Sequence, residues 1–141
     1  MHTGLTMRLT MLAAAAGVLV TLVRPVSAHH SFSAEFDANK PVTLAGEVVK
    51  MEWVNPHSWL HIDVKKPDGS VERWKIEGGS PSVLFRLGWD RNSLPAGTKV
   101  TVVGSQAKDG SLRASSRNLV FPDGRRMNLG GSGPTDQDPK K

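Results

Sequence analysis

Six interruptions spaced along residues 41–129, at Pro56, Pro67-Asp68-Gly69, Gly78-Gly79, Pro95-Ala96-Gly97, Lys108-Asp109-Gly110 and Pro122-Asp123-Gly124, decide what this chain can build. Breaks this frequent leave segments of strand length and little room for helix. Between them the apolar residues keep the period of a half-buried strand: Leu60, Ile62 and Val64 alternate with Trp59, His61 and Asp63. Val71–Glu77 returns as the hairpin partner of that segment. Upstream, Val42, Leu44 and Val48 occupy one parity and Val49, Met51 and Trp53 the other, which predicts a long first strand bent by a bulge beside Gly46. Ser80 is a good N-cap, Pro81 suits the first helical turn, and Gly88 closes a short helix over Ser82–Leu87. Thr98–Gly104, Leu112–Phe121 and Arg125–Leu129 read as the remaining strands. Three strands, one helix and further strands form the order of a small, mainly β, five- to six-stranded OB-like barrel, with the helix between strands 3 and 4. A β-sandwich usually needs more strands than these segments supply.

The barrel is preceded by a leader. Arg8 precedes an almost unbroken apolar run, Leu9–Val23, and Val26-Ser27-Ala28 supplies the small-residue pattern for signal cleavage. A run of about 15 apolar residues falls short of the roughly 20 that span a bilayer. Residues 1–28 are therefore expected to be a cleavable signal peptide, 29–40 a polar arm, 41–130 the barrel and 131–141 a disordered tail. The expected location is the periplasm or outside the cell. Cleavage removes Arg8 and Arg24, leaving 16 Lys and Arg against 13 Asp and Glu, a balance of +3 too small to argue for a nucleic-acid partner. The chain has no Cys, which removes disulfides, thiolate metal sites and thiol nucleophiles. It also has no Tyr, so Trp53, Trp59, Trp74, Trp89 and the phenylalanines supply its aromatic surface.

The strings His29-His30-Ser31-Phe32, Glu35-Phe36-Asp37, Glu52-Trp53-Val54-Asn55-Pro56-His57, Glu77-Gly78-Gly79-Ser80-Pro81, Gly88-Trp89 and Ala107-Lys108-Asp109-Gly110 together resemble a family of small exported bacterial proteins classed as a domain of unknown function. The resemblance covers nearly all of residues 29–130 and implies a secreted OB-like domain. It carries no established activity and transfers no catalytic residue.

Three constellations could carry chemistry. Trp53, Asn55, His57, Trp59 and His61 flank one loop where OB-type barrels present strands 2 and 3 to ligands, and aromatic rings there would stack on sugars or bases. A barrel this small also needs large residues in its core, so one exposed ring at most is expected. Cleavage after Ala28 would give a free amine on His29 followed by His30, and such nitrogen ligands, joined by His57 or His61, suit copper, zinc or nickel. His57 and His61 lie four residues apart in extended chain, roughly 13 Å at about 3.3 Å per residue, too far to grip one ion easily. Gly78, Gly79 and Ser80 precede a helix start and could offer N–H groups to an anion, although the same residues are needed merely to leave a strand.

Enzyme signatures are missing: no G-x-S-x-G elbow, Walker loop, H-E-x-x-H helix or thiol occurs. The expected function is a non-catalytic binding module for a small ligand, a glycan or a periplasmic protein. Metal binding by the His29-His30 arm is the alternative.

Overall fold

A computed structural model describes residues 32–133. Its elements in chain order are α1 (Phe32–Glu35), β1 (Phe36–Glu52), β2 (Trp59–Lys65), β3 (Val71–Glu77), α2 (Pro81–Arg86), β4 (Lys99–Ala107), β5 (Arg113–Val120) and β6 (Arg126–Asn128). The strands form one six-stranded sheet in the order β3-β2-β1-β4-β5-β6. A parallel pairing of β3 with β5, with Lys75 opposite Arg113 and Glu77 opposite Ser115, closes five of them into a ring. The circuit β1-β2-β3-β5-β4 and the helix after β3 are those of an OB-like barrel, although the five strands are not spread evenly about an axis.

The alternation read from the sequence decides which residues fill the ring. Leu60, Ile62 and Ile76 are fully buried, and they meet Val48, Val100, Val102, Ala114 and Leu119 from the other strands. Helix α2 begins where its residues require: the Ser80 hydroxyl accepts from the Val83 N–H at 3.3 Å, and Pro81 needs no donor of its own. Its Leu84, with Trp89 and Leu94 from the connection to β4, is buried in the same core. Trp74 and Trp89 are therefore structural aromatics.

Four details differ from the sequence reading. The bulge lies between Val48 and Lys50, where the register of β1 against β2 shifts, whereas the pairing of β1 with β4 runs unbroken past Gly46. Gly46 serves a close approach instead, since a Cβ there would stand 2.7 Å from the Asp63 carbonyl oxygen. The arm assigned to residues 29–40 is ordered over its second part: Phe36 is buried and opposes Ala107, so β1 begins five residues before Pro41. The tail assigned to 131–141 is likewise held at its start, because Gly131 is buried and Arg117 donates to the Gly133 carbonyl. A single aromatic or glycine contacting a distant strand leaves no periodic trace, so the order at Phe36 and at Gly131 is not legible in the sequence. Residues 1–31 and 134–141, including the leader, lie outside the described residues.

Candidate functional site

The outer surface of β1, β2 and β3 carries the residues that alternate away from the core. His61 on β2 lies between Lys50 on β1 and Lys75 on β3. Its Nε2 stands 3.3 Å from the Glu52 carboxylate, which also meets Lys50 at 2.6 Å and Lys75 at 3.8 Å. The Lys50 ammonium, followed by His61, holds the half-buried Glu52 carboxyl down to about 2. Beyond this group, Arg73 donates to both Asp63 oxygens at 2.8 and 2.9 Å. The face is a set of neutralised pairs, and pairs this exposed add little to stability.

The two outer indoles are half-buried, and both are occupied. Lys75 Nζ sits 4.5 Å above the centre of the Trp59 ring. Trp53 stacks on Phe85 of α2 with ring centres 5.2 Å apart and planes 8° from parallel, while Arg91 approaches it at 5.9 Å. With the rings engaged in this way, stacking of a sugar or base on Trp53 and Trp59 has little open surface to use. What remains accessible is apolar: Phe85, Val54 and Leu87 are 46%, 47% and 43% exposed. Arg91 approaches the Trp53 ring, Arg86 follows Phe85 in the chain and is exposed, and the Asp90 carboxylate is engaged in its own turn with the Asn92 N–H at 2.6 Å.

The other sequence candidates separate. His57 is not beside His61; its Nδ1 lies 3.3 Å from the Gly78 carbonyl and 3.9 Å from the Glu77 carboxylate. Strand alternation and the Glu52 contact hold His61 on a different part of the surface, and no three His, Cys, Asp or Glu side chains converge on one point among the described residues. His29 and His30 lie outside those residues. The anion reading of Gly78, Gly79 and Ser80 is overturned, because both glycines are buried and their N–H groups donate to the carbonyls of Ser58 and Leu129 at 2.9 and 2.8 Å. The Ser80 side chain is spent on capping α2. Asn55, in the cis peptide with Pro56, is exposed at the tip of the loop.

Two residues of consequence were missed by the sequence reading. Leu84 and Phe85 are adjacent on a six-residue helix and cannot both face the core, so Phe85 had to point outward. Glu77 carries no comparable signal. It is only 5% exposed, although it alternates onto the outer face of β3, with Ser132, His57 and Arg113 gathered about it. Burial pushes the Glu77 carboxyl above its ordinary value near 4.5; His57 pulls it back, nearby Glu35 raises it further, and the Ser132 hydroxyl and Arg113 oppose. A carboxyl whose value is raised by folding favours the folded state below the ordinary value and weakens it as pH climbs through the folded one. Glu77→Gln, which imitates the protonated acid, should therefore gain stability relative to the parent between about pH 4.5 and neutrality. Urea titrations of both proteins at pH 4 and pH 7.5 check this, and a pH-independent difference would refute it.

A family model described as Family of unknown function (DUF6152) matches residues 16–116 of the chain. No curated protein and no solved structure matches it.

Proposed function

Since the chain belongs to this family of unknown function, whose model covers more than half of it, and membership brings no activity, we propose from the site itself that the protein is an exported, non-catalytic binding module. Its binding surface is the apolar patch of Trp53, Val54, Phe85 and Leu87, and its partner is a protein segment presenting apolar side chains and carboxylates. The observation that carries this reading is the exposed Phe85 stacked on Trp53, which leaves an aromatic anchor in water on a domain with a well-filled core. Aromatic residues and arginines are the side chains that most often dominate interface energies. The basic border of Arg86 and Arg91 selects for acidic groups around an apolar contact. Export is supported by the leader, and the family match begins at residue 16, inside its apolar run. No helix among the described residues is long and apolar enough to cross a membrane.

The test places a photo-crosslinking amino acid at position 85 in the exported protein, and at Leu112, exposed just before β5, as control. Discrete protein adducts are expected from position 85 alone, and they should disappear when Arg86 and Arg91 are both changed to Glu. Phe85→Ala should weaken the captured partner's binding by about 2 kcal/mol or more, roughly 30-fold, while costing the fold little. Equal adducts from both positions, or none from either, would sink this reading. N-terminal sequencing of the periplasmic protein should begin at His29.

A second reading, metal handling by the His29-His30 arm, is favoured by one observation: His57 is half-exposed and is held beside a buried carboxylate.

A further inference from the structure

We propose that the open edge of β1 between Val42 and Gly46 pairs antiparallel with the same edge of a second copy of this chain, joining two barrels into a two-fold dimer centred on Leu44.

The strand pairing leaves this edge unoccupied. On one side β1 pairs with β4 without a break from Pro41 to Glu47; on the other, β2 reaches only as far as Glu47, which opposes Asp63. Beyond that point β2 runs on to Lys65 without a further partner on β1. The direction of the free groups follows from Val48, whose N–H donates to the Thr98 carbonyl and whose carbonyl accepts from the Gly97 N–H, both at 2.8 Å and both toward β4. Main-chain groups of successive residues in a strand point to alternate edges, so Val42, Leu44 and Gly46 face β4 while Thr43 and Ala45 face away from it. Among the described residues no strand pairs with Thr43 or Ala45 on that side. Both are exposed, and no charged side chain lies between Val42 and Gly46. A strand edge without charge or proline to blunt it is a template for another strand.

A second copy fits because the free groups complement themselves. Thr43 and Ala45 each offer an N–H and a C=O, and a two-fold axis at Leu44 sets Thr43 of each copy opposite Ala45 of the other, so that every one of these groups is bonded. The neighbouring registers fail. An axis at Thr43 would put Ala45 opposite Pro41, which has no N–H to give its carbonyl. An axis at Ala45 would put Thr43 opposite Glu47, whose groups are already spent on Asp63. The Leu44 register also complements charge, since Glu47 of each copy falls opposite Pro41 of the other and next to its Lys40. Trp53 and the Phe85 stacked on it lie past the other end of β1, so this contact goes beyond the binding reading above and does not use that patch.

The test uses the mature protein purified from the periplasm and sedimented over a wide concentration series. A reversible monomer–dimer equilibrium is expected. Thr43→Pro should weaken association at least about 10-fold, because it removes a donor from each copy. It should keep the fold, because that N–H is not one that β4 uses and proline is tolerated on the open side of an edge strand; an unchanged urea midpoint checks this. Engineered thiols report the register, since the chain has no Cys of its own. Oxidising a mixture of Thr43→Cys and Ala45→Cys proteins should yield far more disulfide-linked dimer than either alone. Residues opposite each other in a hydrogen-bonded pair lie about 5.5 Å apart at Cα, the spacing a disulfide needs. These thiols keep the test decisive if Thr43→Pro unfolds. Phe85→Ala should leave the dimer unchanged. A dimer that survives Thr43→Pro and gives no preference for the mixed disulfide is joined elsewhere, and the edge assignment is wrong. A parent that stays monomeric at every concentration, whether the rest of the chain covers the edge or nothing does, overturns the proposal as well.

Discussion

Trp89→Ala is expected to cost the fold about 3–5 kcal/mol, among the largest losses from a single side chain in this protein. The indole is 3% exposed and belongs to the core cluster with Leu84 and Leu94. Its Nε1 donates to the Asn128 carbonyl at 2.7 Å, tying the connection between α2 and β4 to the edge strand β6. Truncation therefore removes the packing and also leaves a carbonyl without its donor, two costs that add. Trp89→Phe separates them, because it keeps most of the apolar volume and loses the N–H; it should cost about 1–3 kcal/mol. Urea denaturation reads both variants as a lowered midpoint with an unchanged slope. A loss below about 1 kcal/mol for Trp89→Ala would mean that residues 88–98 contribute little to closing this end of the barrel.

Gly104→Ala is expected to be nearly as damaging for a different reason, costing about 3 kcal/mol or more, at the upper end of overpacking effects. A Cβ at this position of β4 would lie 2.4 Å from the Ser115 carbonyl oxygen and 3.2 Å from its carbon. These are backbone atoms of β5, and they cannot rotate away. Relief requires β5 to move, yet β5 is held on both sides, by β4 and by the parallel contact with β3 that closes the ring. Moving Ser115 also displaces the neighbour of Glu77, so His57 should lose its setting along with the stability. Gly110→Asn is the informative contrast. Gly110 has a φ of +78° in the turn before β5 and nothing within 4 Å of a would-be Cβ, and Asn tolerates that conformation. It should change stability by well under about 1 kcal/mol. A loss from Gly104→Ala no larger than that from Gly110→Asn would show that the close approach of β4 to β5 does not govern Gly104.

Both expectations turn on contacts between residues far apart in sequence, and this marks how far the sequence could be read. The hairpins were legible because a turn is a local event: Asp68-Gly69, Asp109-Gly110 and Asp123-Gly124 place a glycine of positive φ where the chain reverses. The inward residues Leu60 and Ile62 were legible because strand period is also local. Helix α2 announced itself through Ser80, Pro81 and Gly88, so its place between β3 and β4, and with it the OB-like order, followed from the sequence.

Which outward residues stay in water was decided by tertiary structure alone. Alternation assigns Arg73, Lys75 and Glu77 to the same face of β3, yet Glu77 is buried while Arg73 is exposed, because β5 pairs with one end of the strand and Gly131 and Ser132 lie against it. Alternation likewise groups His57 and His61 on one loop and strand, whereas their partners, the Gly78 carbonyl and the Glu52 carboxylate, come from the segment after β3 and from β1. Trp53 meets Phe85 across 31 residues of intervening sequence. Local propensity ranks the conformations of each short segment, and it does so within the segment's own residues. A cover, a ring closure or a stacked pair depends on the relative placement of two segments, which is set by the packing of the whole core.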